Sequence, residues 1–181
     1  MGKVLREREV FKTPIFRIKE IDLKIKTGKE ATFSIVEKKD SAMIVPITDD
    51  GNLILIKEYF VATDDYQISL PKGRVDSGHP LDAANRELQE EIGYKANKMT
   101  PLGTLIVSPG STRHKTHIYL AQKLVESRLQ GDEDEEIELI KVPFEDFEKF
   151  IENKELTEAR VIAALYIARN YLKGKKEMNL R

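Results

Sequence analysis

Apolar positions in residues 14–37 fall at every second place: Ile18 leads into Ile21, Leu23 and Ile25, Thr27-Gly28-Lys29 interrupts them, and Ala31, Phe33 and Ile35 resume. That period predicts an antiparallel hairpin with one apolar face. The next run, AMIVPI at 42–47, is apolar at nearly every position, and a strong turn at Asp49-Asp50-Gly51-Asn52 separates it from a second run at 53–56 that leads into Lys57-Glu58-Tyr59-Phe60. Continuous apolar runs around such a turn predict a buried hairpin. The charged break Lys38-Lys39-Asp40-Ser41 between the two hairpins makes 1–40 a separate N-terminal β-segment, with the main domain at 41–174 and a frayed tail at 175–181.

Further along, 61–65 reads as a loop and 66–70 as a short strand. A helix starts at His79-Pro80 and stops at Gly93, since Pro suits the first helical position and Gly the last. Strands are expected over 99–107, with Gly103 interrupting, and over 116–125 and 137–142, with a loop at 108–115. Helices over 144–151 and 157–172 close the chain, and Gly174 marks the end of the second.

The helix after Pro80 carries the chemistry. At about 100° per residue, Glu87, Glu90 and Glu91 share one side, while Leu81, Ala84, Leu88 and Ile92 form an apolar stripe that docks the helix and fixes where the carboxylates aim. Two carboxylates about 4 Å apart repel by roughly 4 kcal/mol at an effective dielectric near 20. Three together need either full solvation or a cation, and hard divalent ions such as Mg²⁺, with Mn²⁺ as an alternative, accept such oxygen ligands. Upstream, Lys72-Gly73 lies in a loop of the kind that lets backbone approach a ligand.

Composition narrows the classes. The 181 residues include no Cys, which excludes disulfides, zinc–thiolate sites and thiol nucleophiles. With 30 basic and 31 acidic residues, the net charge of −1 gives no argument for nucleic acid or an anionic membrane. No signal-like or membrane-length apolar stretch occurs, so a cytoplasmic protein is expected.

The segment from Arg86 to Tyr94, RELQEEIGY, resembles the core of the Nudix box: Arg-Glu, an aliphatic, any residue, Glu-Glu, any residue, Gly, and an aliphatic or aromatic. It departs from the family pattern upstream. Counting from Gly73, the position of the first Glu holds His79, and six residues rather than seven separate it from Arg86. In the family that Glu mainly supports the box. The resemblance runs from about Phe11 to Gly174 and implies an α/β fold, the Nudix α/β/α sandwich with a mixed sheet. It is strongest to the ADP-ribose pyrophosphatase and ADP-compound hydrolase group, because Pro109 lies fifteen residues past Tyr94, where a Pro is associated with ADP-ribose hydrolases.

The resemblance implies Mg²⁺-dependent hydrolysis of the pyrophosphate of ADP-ribose or another nucleoside diphosphate sugar. Alternatives are an ADP-compound hydrolase acting on NADH or diadenosine polyphosphates, and a nucleotide-binding domain without catalysis. Metal ligands would be Glu87, Glu91 and Glu90, with the carbonyl of Lys72; the base would come from the acidic run after Gly131, Glu135 first and Glu133 second. Pro109, Arg113 and Phe33 are the candidates for substrate contact, although Phe33, like Phe16 and Tyr59, also suits core packing. Arg86 is expected to brace the box through Asp82, and His79 to cap the helix. The N-terminal β-segment would pair two copies into a homodimer, as in the family.

Overall fold

The computed structural model describes residues 2–76, 78–130 and 137–178. The chain divides into two compact units, Met1–Asp40 with Ile106–Thr116, and Ser41–Leu105 with His117–Arg181.

In the first unit, β1 (Lys3–Lys12), β2 (Arg17–Lys24), β3 (Glu30–Glu37) and the two-residue β9 (Thr112–Arg113) form one sheet in the order β1-β2-β3-β9. The hairpin expected over 14–37 is β2–β3, paired from Arg17↔Glu37 to Lys24↔Glu30. β1 has no counterpart in the sequence reading. Nine of its ten residues are exposed, so no apolar face announces it; its evidence is the ladder to β2 and the ion pairs of Arg8 with Glu20 and Asp22, at 2.5 and 2.6 Å. β9 sits inside a stretch expected to be loop, and its parallel pairing with β3 at Val36↔Thr112 is too short to leave a periodic signal.

The second unit contains β4 (Ser41–Pro46), β5 (Asn52–Phe60), β6 (Asp65–Ser69), β7 (Lys72–Arg74), α1 (Pro80–Glu91), β8 (Tyr94–Ile106), β10 (Lys115–Glu126), β11 (Glu138–Pro143), a 3₁₀ turn (Phe144–Asp146), α2 (Phe147–Glu152) and α3 (Ala159–Met178), with β8 and β10 each extending a residue or two into the first unit. Its strands are ordered β7-β4-β10-β8 and β11-β5-β6. Alternate residues of the apolar runs serve two cores. Ala42, Ile44, Ile54, Ile56, Tyr119 and Ala121 pack with Ala84, Leu88 and Ile92 of α1, whereas Met43, Val45, Leu53, Leu55, Ile118 and Leu120 pack with Val161, Leu165 and Ala168 of α3. A strand buried on both faces has no polar side to alternate, which is why 42–47 is continuously apolar.

Two expected boundaries move. β8 begins at Tyr94, five residues before the expected start, and α3 continues through Gly174 to Met178, so Gly174 is not a stop and the supposed tail starts as helix. A lone Gly costs an established helix only about 1 kcal/mol.

Candidate active site

His79 caps α1, its ring Nδ1 accepting from the Leu81 N–H at 3.2 Å, and Pro80 fills the first turn. Gly78 enters the helix at φ +83°, a conformation that favours glycine. The end is as sharp: Gly93 turns at φ +76° and accepts the Ser127 N–H at 2.9 Å, and Gln89 accepts from the Leu129 N–H at 3.2 Å and the Ser127 hydroxyl at 2.9 Å. The chain leading toward the acidic run is thus fastened to the last turn of the box helix. Glu133 and Glu135 themselves lie outside the described residues.

The carboxylate side of α1 is not a solvated face. Glu87 and Glu91 are each 5% exposed, nearly as buried as Leu88 and Ile92. The three-residue strand β7 receives both. The Lys72 N–H donates to Oε2 of Glu91 at 2.9 Å, and Gly73 lies so close to Glu87 that an added Cβ would sit 1.9 Å from its carboxyl carbon. Gly73 is therefore required by contact, and any side chain there displaces Glu87. The Arg86 guanidinium pairs with Glu87, holds Glu90 at 2.7 Å and donates to the Arg74 carbonyl at 3.3 Å. Its box partners are thus Glu87 and Glu90, in place of the expected Asp82.

Burial pushes the Glu91 carboxyl well above the usual carboxylate range; the Lys72 charge and N–H pull it back, and the neighbouring carboxylates of Glu58 and Glu87 push it further up. Glu58, on β5, was not singled out by the sequence. It pairs with the Lys72 ammonium, which also stands 4.9 Å over the ring of Phe60. The available signal was the i, i+2 spacing of Glu58 and Phe60, which puts both on one side of the strand.

Among the described residues, no group of three or more acidic, His or Cys side chains stands ready to hold a metal ion; Glu87 and Glu90 are both paired with Arg86. The donors nevertheless suit a hard divalent cation. They are all oxygen, two of them are buried carboxylates, and Glu91 sits where burial and like charges disfavour its ionised form.

The other expected contacts lie in the first unit. Pro109 and Arg113 line a cleft of about 360 Å³ with Ile21, Ile35 and Lys115. Arg113 is engaged by Glu7 at 3.0 Å and Glu37 at 2.8 Å. Phe33 is 48% exposed and is not a core residue.

Residues 37–165 match the NUDIX domain model. Over 175 residues the chain is 35% identical to the ADP compounds hydrolase NudE of Escherichia coli (strain K12), covering 95% of this chain and 94% of that protein. It is 32% identical to the ADP-ribose pyrophosphatase of Bacillus subtilis (strain 168), covering 90% and 92%. A crystal structure of an ADP compounds hydrolase superposes with a TM-score of 0.88 at 34% identity over 96% of this chain and 95% of that one. With the box helix, its buried carboxylates and the close Gly73 approach in place, these likenesses show that the chain belongs to the Nudix hydrolase family.

Proposed function

We propose that the protein is a Mg²⁺-dependent hydrolase that cleaves the pyrophosphate of ADP-ribose or another nucleoside diphosphate sugar, giving a nucleoside monophosphate and a sugar phosphate. The observation that carries this reading is the burial of Glu87 and Glu91 together on the face of α1 that meets β7. Glu87 and Glu91 would hold the divalent cation, with Glu90 beside them and the Lys72 carbonyl as a further oxygen. When bound, such a cation neutralises pyrophosphate oxygens and acidifies bound water. Water attacks one phosphorus, the bond to the bridging oxygen breaks, and Glu135, or failing it Glu133, takes the proton. Arg86 keeps Glu87 and Glu90 aligned. Pro109, Arg113 and Phe33 are the proposed substrate contacts, and Arg113 reaches a substrate only by exchanging its carboxylate partners.

A second reading, an ADP-compound hydrolase that also takes NADH or diadenosine polyphosphates, draws support from the 35% identity to the E. coli ADP compounds hydrolase. One panel tests both. The protein is incubated with ADP-ribose, several nucleotide sugars, NADH and a diadenosine polyphosphate, with Mg²⁺, with Mn²⁺ and with chelator, and released monophosphate is measured by chromatography. Metal-dependent release from ADP-ribose or a nucleotide sugar alone supports the first reading, and release from NADH as well supports the second. No release from any compound would leave a nucleotide-binding domain without catalysis.

The same reading makes the protein a homodimer of the cytoplasm. The support for the dimer is β1, an edge strand on which Val4, Val10 and Phe11 are about half exposed, at 55%, 49% and 54%; among the described residues no helix is long and apolar enough to cross a membrane. Light scattering at micromolar concentration should give twice the chain mass; the single mass would reject the dimer.

A further inference from the structure

β7 has three residues and one ladder partner, β4, through Ser41↔Arg74, Ala42↔Gly73 and Met43↔Lys72. It stands at the end of its sheet order. So short an edge strand is weakly fixed by its ladder, yet its backbone sets both buried carboxylates: the Lys72 N–H holds Glu91, and Gly73 gives Glu87 its seat. Something further must hold it in place. The Lys72 side chain crosses to β5, where its ammonium meets the Glu58 carboxylate and the Phe60 ring, 4.9 Å away. The pair is mostly enclosed, with side-chain exposures of 15% for Lys72 and 21% for Glu58. That excludes much of the solvent that makes exposed ion pairs worth little. Breaking such a pair from one side leaves a mostly buried charge without its partner.

We infer that Glu58 is a positioning residue: through the Lys72 ammonium it clamps β7 against α1 and so sets the spacing of Glu87 and Glu91 without ligating the metal itself. The clamp rests on the metal-dependent reading above. It makes three demands of the molecule. Losing Glu58 loosens β7 and weakens cation binding more than substrate binding. Losing the Lys72 ammonium has the same effect, because both act through one strand. Losing both is no worse than losing either.

The experiment measures Mn²⁺ binding by electron paramagnetic resonance, together with kcat and KM for ADP-ribose at saturating metal, in the full-length protein and in Glu58→Gln, Glu58→Ala, Lys72→Met and the Glu58→Ala/Lys72→Met double variant. Thermal melts report folding, and Glu58→Gln, which keeps shape and loses only charge, serves if Glu58→Ala does not fold. Each single change should raise the Mn²⁺ dissociation constant about tenfold or more, the usual scale for a residue that orients a ligand. KM should stay within about threefold. The double variant should match the worse single change, as contacts acting as a unit are not additive. Singles that leave Mn²⁺ affinity within about twofold of the parent overturn the clamp, as do effects that add in the double variant, which would make Glu58 an independent ligand. A parent protein that binds no Mn²⁺ removes the metal site and the clamp with it, an outcome separate from any difference among variants.

Discussion

Glu7 and Glu91 are the same side chain put to opposite uses. Glu7, on the exposed sheet of the first unit, faces Arg113 and Lys19, and its carboxyl is held down to about 2 by those hydrogen bonds. Glu91, on the box helix of the second unit, is buried against a backbone N–H and beside other carboxylates, and its carboxyl is pushed well up. The first unit uses carboxylates to hold strands together: Lys19 bridges Glu7 and Glu37, each at 2.9 Å, and Arg113 reaches both of them as well. The second unit already has two apolar cores to hold it, so the buried Glu91 carboxylate adds an electrostatic cost that a structural role does not explain. A displaced pKa marks function when it runs against stability; one that runs with stability marks a fastening.

The hardest test of that contrast is Glu91→Gln. If Glu91 holds the cation, kcat falls by about 10³-fold, or about 4 kcal/mol. The same change removes an unfavourable buried charge, so the melting temperature of the metal-free variant stays level or rises. Full activity in Mg²⁺, or a lowered melting temperature without metal, would place Glu91 with Glu7 among the fastenings.

A smaller effect is expected from the acidic run. Glu135→Gln should lower kcat by about 10²-fold or more, the scale of a positioned acid–base group, and leave KM within a few-fold, with Glu133→Gln much milder. A silent Glu135→Gln beside a damaging Glu133→Gln moves the base by two residues and leaves the helix assignment intact.

Acid should act on the two units with opposite sign. Glu7 and Glu37 have folded pKa values below the ordinary 4.5, Glu7 at about 2. The stability they contribute is therefore present above about 4.5 and is lost as the pH falls toward 2. For Glu91 the folded value is raised, so the metal-free second unit gains stability as the pH falls through that value. Amide exchange between about pH 7 and pH 3, corrected for intrinsic rates, should show β1–β3 losing protection on acidification while α1 keeps or gains it. Because the Glu7–Arg113 pair is open to solvent, salt should weaken the effect there, and Glu7→Gln should flatten it. Equal loss in both regions would contradict the assignment of roles.

The same division decides what could be read from the sequence. Where burial is two-sided, as at Met43, Ile44 and Val45, the apolar run was legible because each position answers to a core. The spacing of Glu87 and Glu91 was legible because a helix converts sequence distance into direction. β1 was not: its stability lies in cross-strand ion pairs, and charge along an exposed strand looks like charge along a loop. The partner of Arg86 was not legible, because Asp82, Glu87 and Glu90 are all within its reach along the chain, and only β7, with the Arg74 carbonyl, settles which way it turns. The role of Glu58 was not legible either, because its partner Lys72 is fourteen residues away, on another strand.

The smallest expected effect concerns the one place where the chain departs from its family's spacing. Twelve residues lie between Gly73 and Arg86, one fewer than the family pattern. If the missing residue had shifted the helix, the carboxylates would be rotated by about 100° and could not face β7. Glu91 instead meets the Lys72 N–H and Glu87 lies on Gly73, so the shorter spacing leaves the helix in register with β7. Gly78 at φ +83° and the His79 cap ahead of Pro80 form the shortened entry. Inserting a Glu between Gly78 and His79 should then lengthen only that entry. It should change kcat/KM by less than about tenfold, or ~1.4 kcal/mol, and cost a little stability as the Gly78 turn and the His79 cap are disturbed. A much larger loss would show that the short entry itself holds α1 in register. An insertion that switched on hydrolysis in a parent silent toward every compound would show that the natural spacing belongs to a nucleotide-binding domain, and that its buried carboxylates wait on a loop this chain has given up.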